Sequence, residues 1–231
     1  MPSVGADVVK LPPYEKILVF TAVMASATVA TMFAIFVATG IGQDPLQYVH
    51  PVDEYLEILK RNPAVLKTAV GFDNLFIALY VAMFVSLGGA LRRLGAPWLY
   101  SVAAISLICL SGLLDLVENM HFLTMIASVE RGQGISATEI SLQVIESLVK
   151  FHVSYIGLLL LSFALPTTTG AERSLVFLLR WVQLPVGLLI YVAPTAIAVP
   201  LVIVRFMFFF FALLLLAWTF RRRTLDSNAR G

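Results

Sequence analysis

Six long apolar stretches alternate with short polar ones along this chain. Each stretch is close to or longer than the roughly 20 residues that an α-helix needs to cross the hydrocarbon core of a bilayer. The pattern therefore predicts an all-α integral membrane protein, organised as a single polytopic domain over residues 1–231. The predicted transmembrane helices cover about residues 17–40, 68–91, 97–127, 140–165, 175–192 and 195–220.

The longest polar interruption lies between the first two spans, at residues 41–67. Its segment 52–61 places Tyr55, Leu56 and Leu59 on one side of a short helix, while charged residues occupy the other positions. This pattern is typical of an amphipathic helix at a membrane interface. We therefore expect a short interfacial lid over one end of the helix bundle.

Composition agrees with a membrane protein and argues against other classes. The chain is 59% hydrophobic and only 13% charged, whereas soluble domains carry about 25% charged residues. The net charge of +2 does not indicate nucleic-acid binding, because the basic residues form short clusters between apolar runs. The lipid bilayer is the partner that this composition requires, and a homo-oligomer or a larger membrane complex stays open.

The basic residues are divided unequally between the two sides of the predicted bundle. An even number of spans returns the chain to the side on which it started, so both termini share one side. That side holds Lys10, Lys16, Arg92, Arg93, Arg173, Arg221, Arg222, Arg223 and Arg230, and the other side holds Lys60, Arg61, Lys67 and Arg131. The positive-inside rule then predicts that both termini are cytoplasmic.

Charged residues inside the predicted spans mark the candidate site. The third span contains the segment 113–122, which reads LLDLVENMHF. Placing an ionisable group near the centre of a membrane helix costs at least ~2.5 kcal/mol of free energy. Such groups therefore indicate a functional site in which they are paired with other polar groups. Charged residues of spans two, three and four all fall in the half of the bilayer nearest the lid. The candidate ligand- or ion-binding residues are Asp73, Asp115, Glu118, Asn119, Glu146, Lys150 and Arg205.

Helical periodicity predicts which of these side chains face one another. One face of the third span and one stripe of the fourth consist mainly of polar or small residues. The third-span face comprises Ser111, Asp115, Glu118 and Phe122, and the fourth-span stripe comprises Gln143, Glu146, Ser147, Lys150, Ser154 and Gly157. Glu146 and Lys150 are spaced for an ion pair on one helix, and His152 falls on the opposite face. Arg205 is expected to balance the surplus of carboxylates.

The leading functional hypothesis follows from this surplus. Several carboxylates in a low-dielectric region cannot all stay ionised, so one of them is expected to hold a proton or attract a cation. We therefore expect a proton-, cation- or small polar ligand-binding site, as in a coupled transporter or channel. Asp115, Glu118 and Glu146 would form its centre, and Lys150 and Arg205 would balance the charge.

Two further classes stay open. The first is a non-catalytic accessory subunit of a membrane complex, in which the buried charges only fix helix packing. The second is a metal-dependent membrane enzyme. Glu118 and His121 form a Glu-x-x-His motif, which di-iron carboxylate bundles use for metal ligation, and Glu146 could add an oxygen ligand. Those bundles carry two such motifs, whereas this chain has one. A metal ion is the cofactor that this alternative implies, while the loop residue His50 is expected to be solvated.

Overall fold

The computed structural model describes residues 13–47 and 51–228, and these residues form helices and connecting turns with no strand among them. The helices are α1 (Pro13–Thr39), α2 (Val52–Arg61), α3 (Pro63–Arg93), α4 (Trp98–Glu130), α5 (Ala137–Ala164), α6 (Gly170–Phe177), α7 (Leu184–Val192) and α8 (Thr195–Asn228). A 3₁₀ turn (Asp44–Gln47) precedes α2, and a π-helical segment (Leu178–Gln183) joins α6 to α7. Lys10, His50 and Arg230 lie outside the described residues.

Six helical segments are long and apolar enough to cross a membrane, which confirms the predicted all-α fold. They are Tyr14–Thr39, Pro63–Arg93, Trp98–Glu130, Ala137–Ala164, Gly170–Val192 and Ala196–Arg223. Several of these helices begin before their apolar run, because a polar N-cap residue precedes the first helical turn. The Asn62 side chain accepts a hydrogen bond from the Val65 amide at the start of α3, and Ser136 caps α5 in the same way.

The six spans form a closed ring. Each span packs against the next one in sequence, and α8 completes the ring by packing against α1. Contacts between helix ends show that neighbouring spans run in opposite directions. Arg93, at the end of α3, contacts Glu15 at the start of α1. Lys67, near the start of α3, pairs with Glu130 at the end of α4 with an N–O distance of 2.6 Å. We call the end of the ring that holds the Arg93–Glu15 contact the terminal end. The opposite end, which holds the Lys67–Glu130 pair, is the lid end.

Two glycines allow close packing of α3, α4 and α5. A Cβ atom on Gly112 would lie 2.6 Å from the Val81 side chain, and one on Gly157 would lie 2.9 Å from Ile108. Small residues at membrane helix interfaces let backbones approach closely. The polar side chains near these crossings can therefore reach from one helix to the next.

Prolines interrupt the last two spans. Pro185 cannot donate a backbone hydrogen bond, and the π-helical segment Leu178–Gln183 lies directly before it. Pro194 separates α7 from α8, and Pro200 lies inside α8. The fifth span is therefore the continuous succession of α6, the π-helical segment and α7.

The short helix α2 docks on the lid end of the ring. Tyr55 and Leu59 are fully buried, and they join an apolar cluster with Phe122 and Met125 of α4. Asp53 on the opposite face is exposed. The helix expected over this end is thus held by side chains inserted between the spans, and its contact with the membrane interface stays a prediction.

Candidate functional site

A cavity of about 150 Å³ lies inside the ring, and residues of all six spans line it. The loop that precedes α2 also contributes to its wall. Most of the lining is aliphatic or aromatic, but one region is polar. The polar lining includes Gln43, Gln47, Asp73, Asp115, Lys150 and Arg205. Four of the seven predicted binding residues therefore border one cavity.

The ammonium group of Lys150 forms the centre of this polar region. Lys150 is buried on α5 and donates hydrogen bonds to the carboxylates of Asp115 and Glu118 on α4. These two carboxylates lie about one turn apart on the same helix face, so both reach one ammonium group. An unpaired ammonium would be costly to bury, whereas two carboxylates around it leave one excess negative charge when all three are ionised.

Glu118 receives additional hydrogen bonds from two other parts of the chain. On α5, Ser147 donates its hydroxyl to Glu118, and the Gln143 amide lies 3.4 Å from the same carboxylate oxygen. From the loop, the Gln47 amide lies 3.5 Å from the second carboxylate oxygen. Glu118, Ser147 and Gln143 are all fully buried. The loop, α4 and α5 therefore meet at one carboxylate.

Asp73 on α3 is held by neutral amides. The Asn119 amide donates to Asp73 Oδ2 at 2.8 Å and to Asn74 Oδ1 at 2.9 Å, and the Gln43 amide also hydrogen-bonds Asp73. Asp73 is 6% exposed, and among the described residues it makes no ion pair. Its negative charge is therefore not balanced by a direct cationic partner.

Arg205 on α8 pairs with a residue that the sequence analysis did not select. Its guanidinium donates to Asp44 Oδ1 at 2.8 Å, so the loop before α2 is tied to the sixth span. The same guanidinium lies 4.4 Å from the centre of the Phe151 ring, and Lys150 Nζ lies 4.7 Å from it. The expected role of Arg205 as counter-ion to the carboxylates of spans two to four is thus corrected to a pairing with Asp44.

Glu146 and His121 form a separate pair at the edge of the site. His121 Nδ1 lies 2.9 Å from Glu146 Oε2, and His121 Nε2 lies 3.9 Å from Glu139 Oε1. The predicted ion pair between Glu146 and Lys150 is wrong, because Lys150 turns inward to the two carboxylates of α4. His152 is exposed, in agreement with its predicted position on the opposite face of α5.

The predicted metal ligands do not come together in the structure. Glu118 belongs to the Lys150 cluster, whereas His121 and Glu146 bond to each other at its edge. In the described part of the chain, no group of three or more His, Cys, Asp or Glu side chains is arranged to hold a metal ion. The geometry therefore gives the metal-enzyme alternative no support.

Tyr55, which the helical pattern places on the apolar side of the lid helix, also belongs to the site. Its hydroxyl donates to Gln143 Oε1 at 2.9 Å, so α2 reaches the network around Glu118. Burial, together with the nearby charge of Glu118, raises the pKa of the Tyr55 hydroxyl above its ordinary value. The hydroxyl therefore stays protonated and remains a hydrogen-bond donor over the physiological pH range.

Among the described residues, the charges around the polar region do not cancel. The carboxylates are Asp44, Asp73, Asp115 and Glu118, and the cationic groups are Lys150 and Arg205. With every group ionised, four negative charges face two positive ones, which leaves a formal charge of −2. Such a surplus in a region of low dielectric favours uptake of a proton or another cation.

Comparison with known proteins identifies no relative for this chain. No family model, no curated protein and no solved structure matches it. The residues and geometry of the cavity are therefore the basis for assigning a function.

Proposed function

We propose that the cavity binds a proton or another small cation as part of a coupled membrane transporter. The surplus of carboxylates over cationic groups, around a cavity that all six spans line, is the observation that supports this function. Ionisable groups inside a membrane protein commonly mark ion or substrate pathways. A site shared by all the spans is also suited to respond when the spans move relative to one another.

Within this proposal, the carboxylates have different roles. Asp73 exchanges the cation, because it borders the cavity and its hydrogen-bond partners are neutral amides. Asp115 and Glu118 provide one further excess charge, and Lys150 keeps them close together. Glu146, which the sequence places at the centre, pairs with His121 outside the cavity lining and is assigned no direct contact with the cation.

The accessory-subunit alternative has one specific observation in its favour. The Lys150 cluster is internally hydrogen-bonded and links α4, α5 and the loop, as a purely structural network would. Buried ionic networks can fix helix packing without binding anything. This alternative predicts that neutralising Asp73 changes stability or assembly but no movement of ions.

The test is proton movement across liposomes that contain the purified protein and a trapped pH-sensitive dye. A potassium gradient with valinomycin sets the membrane potential, and proton entry is recorded for wild type and for Asp73→Asn. The exposed α2 residue Asp53 provides the matched control, Asp53→Asn. We expect flux in wild type and the control, and a rate equal to that of empty liposomes in Asp73→Asn.

Two results would contradict the proposal. Wild-type protein that conducts no more than empty liposomes, whether protons or sodium ions provide the gradient, would favour the accessory subunit. Equal flux in wild type and in correctly folded Asp73→Asn would show that Asp73 is not part of the ion pathway, which would contradict the central argument.

A further inference from the structure

Two glutamine side chains in the loop before α2 leave hydrogen-bond acceptors without partners at the cavity. Gln43 and Gln47 both line the cavity and are only 7% and 3% exposed. The Gln43 amide interacts with Asp73, and the Gln47 amide nitrogen lies 3.5 Å from Glu118. Because a carboxylate accepts hydrogen bonds, each glutamine turns its nitrogen toward the acid. Among the described residues, neither Oε1 atom has a hydrogen-bond partner, and both are buried.

Buried acceptors without a protein partner indicate the chemistry of the group that would complement them. A buried polar atom without a hydrogen bond is destabilising, so such atoms are normally paired with protein, water or a ligand. Here the two glutamines that carry these carbonyl oxygens line the same cavity as Asp73, whose carboxylate has no direct cationic partner among the described residues. The complementary ligand group carries a positive charge and several N–H donors, which describes a primary ammonium better than a bare metal cation or an anion.

The rest of the cavity wall indicates what the ammonium is attached to. Aromatic side chains contribute much of the lining, from three different spans. They are Phe76, Tyr80, Phe84, Phe151, Phe206, Phe208 and Phe209. Aromatic rings pack well against flat apolar groups, and their faces attract cations. A hydrated inorganic ion would leave this apolar surface without a partner.

We infer that the cavity binds a small primary ammonium with an aromatic or compact apolar body. The ammonium contacts Asp73 and the Oε1 atoms of Gln43 and Gln47, and the body packs against the phenylalanines. A volume of about 150 Å³ suits a single-ring molecule, since cavities of about this size accept benzene. This inference rests on the proposed function, for which it names the class of cation.

A series of three ligands with the same ring and different charges tests the inference on the wild-type protein. The probes are benzylammonium, the neutral benzyl alcohol and the anionic benzoate, each measured by equilibrium dialysis against protein in detergent. We expect saturable benzylammonium binding at least about tenfold tighter than that of benzyl alcohol, a ratio typical of one desolvated charge contact. Benzoate should bind more weakly than the alcohol.

Two substitutions on α8 separate the cavity wall from the outer surface. Phe209 lines the cavity, whereas Phe211, two residues further along the same helix, is 57% exposed. Phe209→Ala should weaken benzylammonium binding by about tenfold through lost ring contact, and Phe211→Ala should leave it unchanged. Gln43→Leu, which removes one unpartnered oxygen, should reduce the preference for benzylammonium over benzyl alcohol.

The outcomes distinguish this inference from the function on which it rests. Equal binding of the three probes, or tighter binding of benzoate, would overturn the ammonium assignment, whereas Asp73-dependent proton flux would still support the transporter. Selective benzylammonium binding without any ion flux would support the assigned ligand and contradict the transport function. Equal losses in Phe209→Ala and Phe211→Ala would show that the ring binds outside the cavity.

Discussion

Replacing Lys150 by methionine should destabilise the protein strongly, because it removes the cation that holds two buried carboxylates together. Methionine has a similar length and no charge, so the volume of the side chain is nearly kept. Asp115 and Glu118 would then face each other with no ammonium between them. Glu118 is fully buried, and water cannot readily replace the lost partner.

The expected magnitude follows from measurements on other buried ion pairs. Removing one partner of a buried pair costs about 3–5 kcal/mol, because an uncompensated charge remains. For a chain of this size, each kcal/mol lowers the melting temperature by about 2–4 °C, so the expected decrease is about 6–20 °C. Adding Asp115→Asn and Glu118→Gln to Lys150→Met removes the stranded charges as well and should recover most of this loss.

Thermal unfolding in detergent, followed by size-exclusion chromatography of the soluble fraction, provides the measurement. Lys67→Met is the matched control, because Lys67 also pairs with a glutamate on α4 but its side chain is 41% exposed. An exposed pair contributes about 0–1 kcal/mol, so the control should shift little. A decrease in Lys150→Met no larger than in Lys67→Met would refute the reasoning that the cluster is buried and charged.

Three further substitutions test the connections between the lid and the site. Tyr55→Phe leaves the buried acceptor of Gln143 without its donor and should cost about 1–3 kcal/mol in the same melting assay; no shift would show that the hydrogen bond contributes nothing. Asp44→Asn weakens the pairing with Arg205 and should speed hydrogen exchange of the 3₁₀ turn, measured by mass spectrometry, whereas Asp53→Asn should not. Equal exchange in both variants would contradict the idea that this ion pair holds the turn against α8. Glu118→Gln keeps the shape of the side chain and removes one of the excess carboxylates. It should leave folding intact while weakening pH-dependent ion movement, and an unaltered pH dependence would contradict the role of this excess charge.

The fold could be predicted because hydrocarbon thickness imposes a minimum length on each apolar run. All six spans follow from that one constraint, and the observed helices differ mainly where Asn62 and Ser136 extend them into polar sequence. The π-helical segment before Pro185 could not be placed, because a proline predicts an irregularity without specifying its hydrogen-bond pattern. The order of the helices around the ring could not be predicted either, because it depends on packing between helices.

The site could be predicted in part, since helical spacing fixes which residues share a face. The spacing correctly brings Asp115 and Glu118 toward Lys150. Spacing alone cannot decide whether a charged residue pairs with a partner on its own helix or on a neighbouring helix. For this reason the predicted ion pair between Glu146 and Lys150 was wrong. Asp44 was missed because a four-residue turn has no periodicity that would reveal its insertion between the spans.

The central claim is that the cavity carboxylates hold an exchangeable cation. Infrared difference spectroscopy of the carboxyl groups tests this claim most directly. Spectra of the reconstituted protein are recorded as the bath pH is stepped downward, with and without a competing monovalent cation. We predict that a protonated carboxyl band appears in wild type, is suppressed by the competing cation, and is reduced in Asp73→Asn but retained in Asp53→Asn. The same spectrum in wild type and Asp73→Asn, or a band that no cation suppresses, would contradict the account.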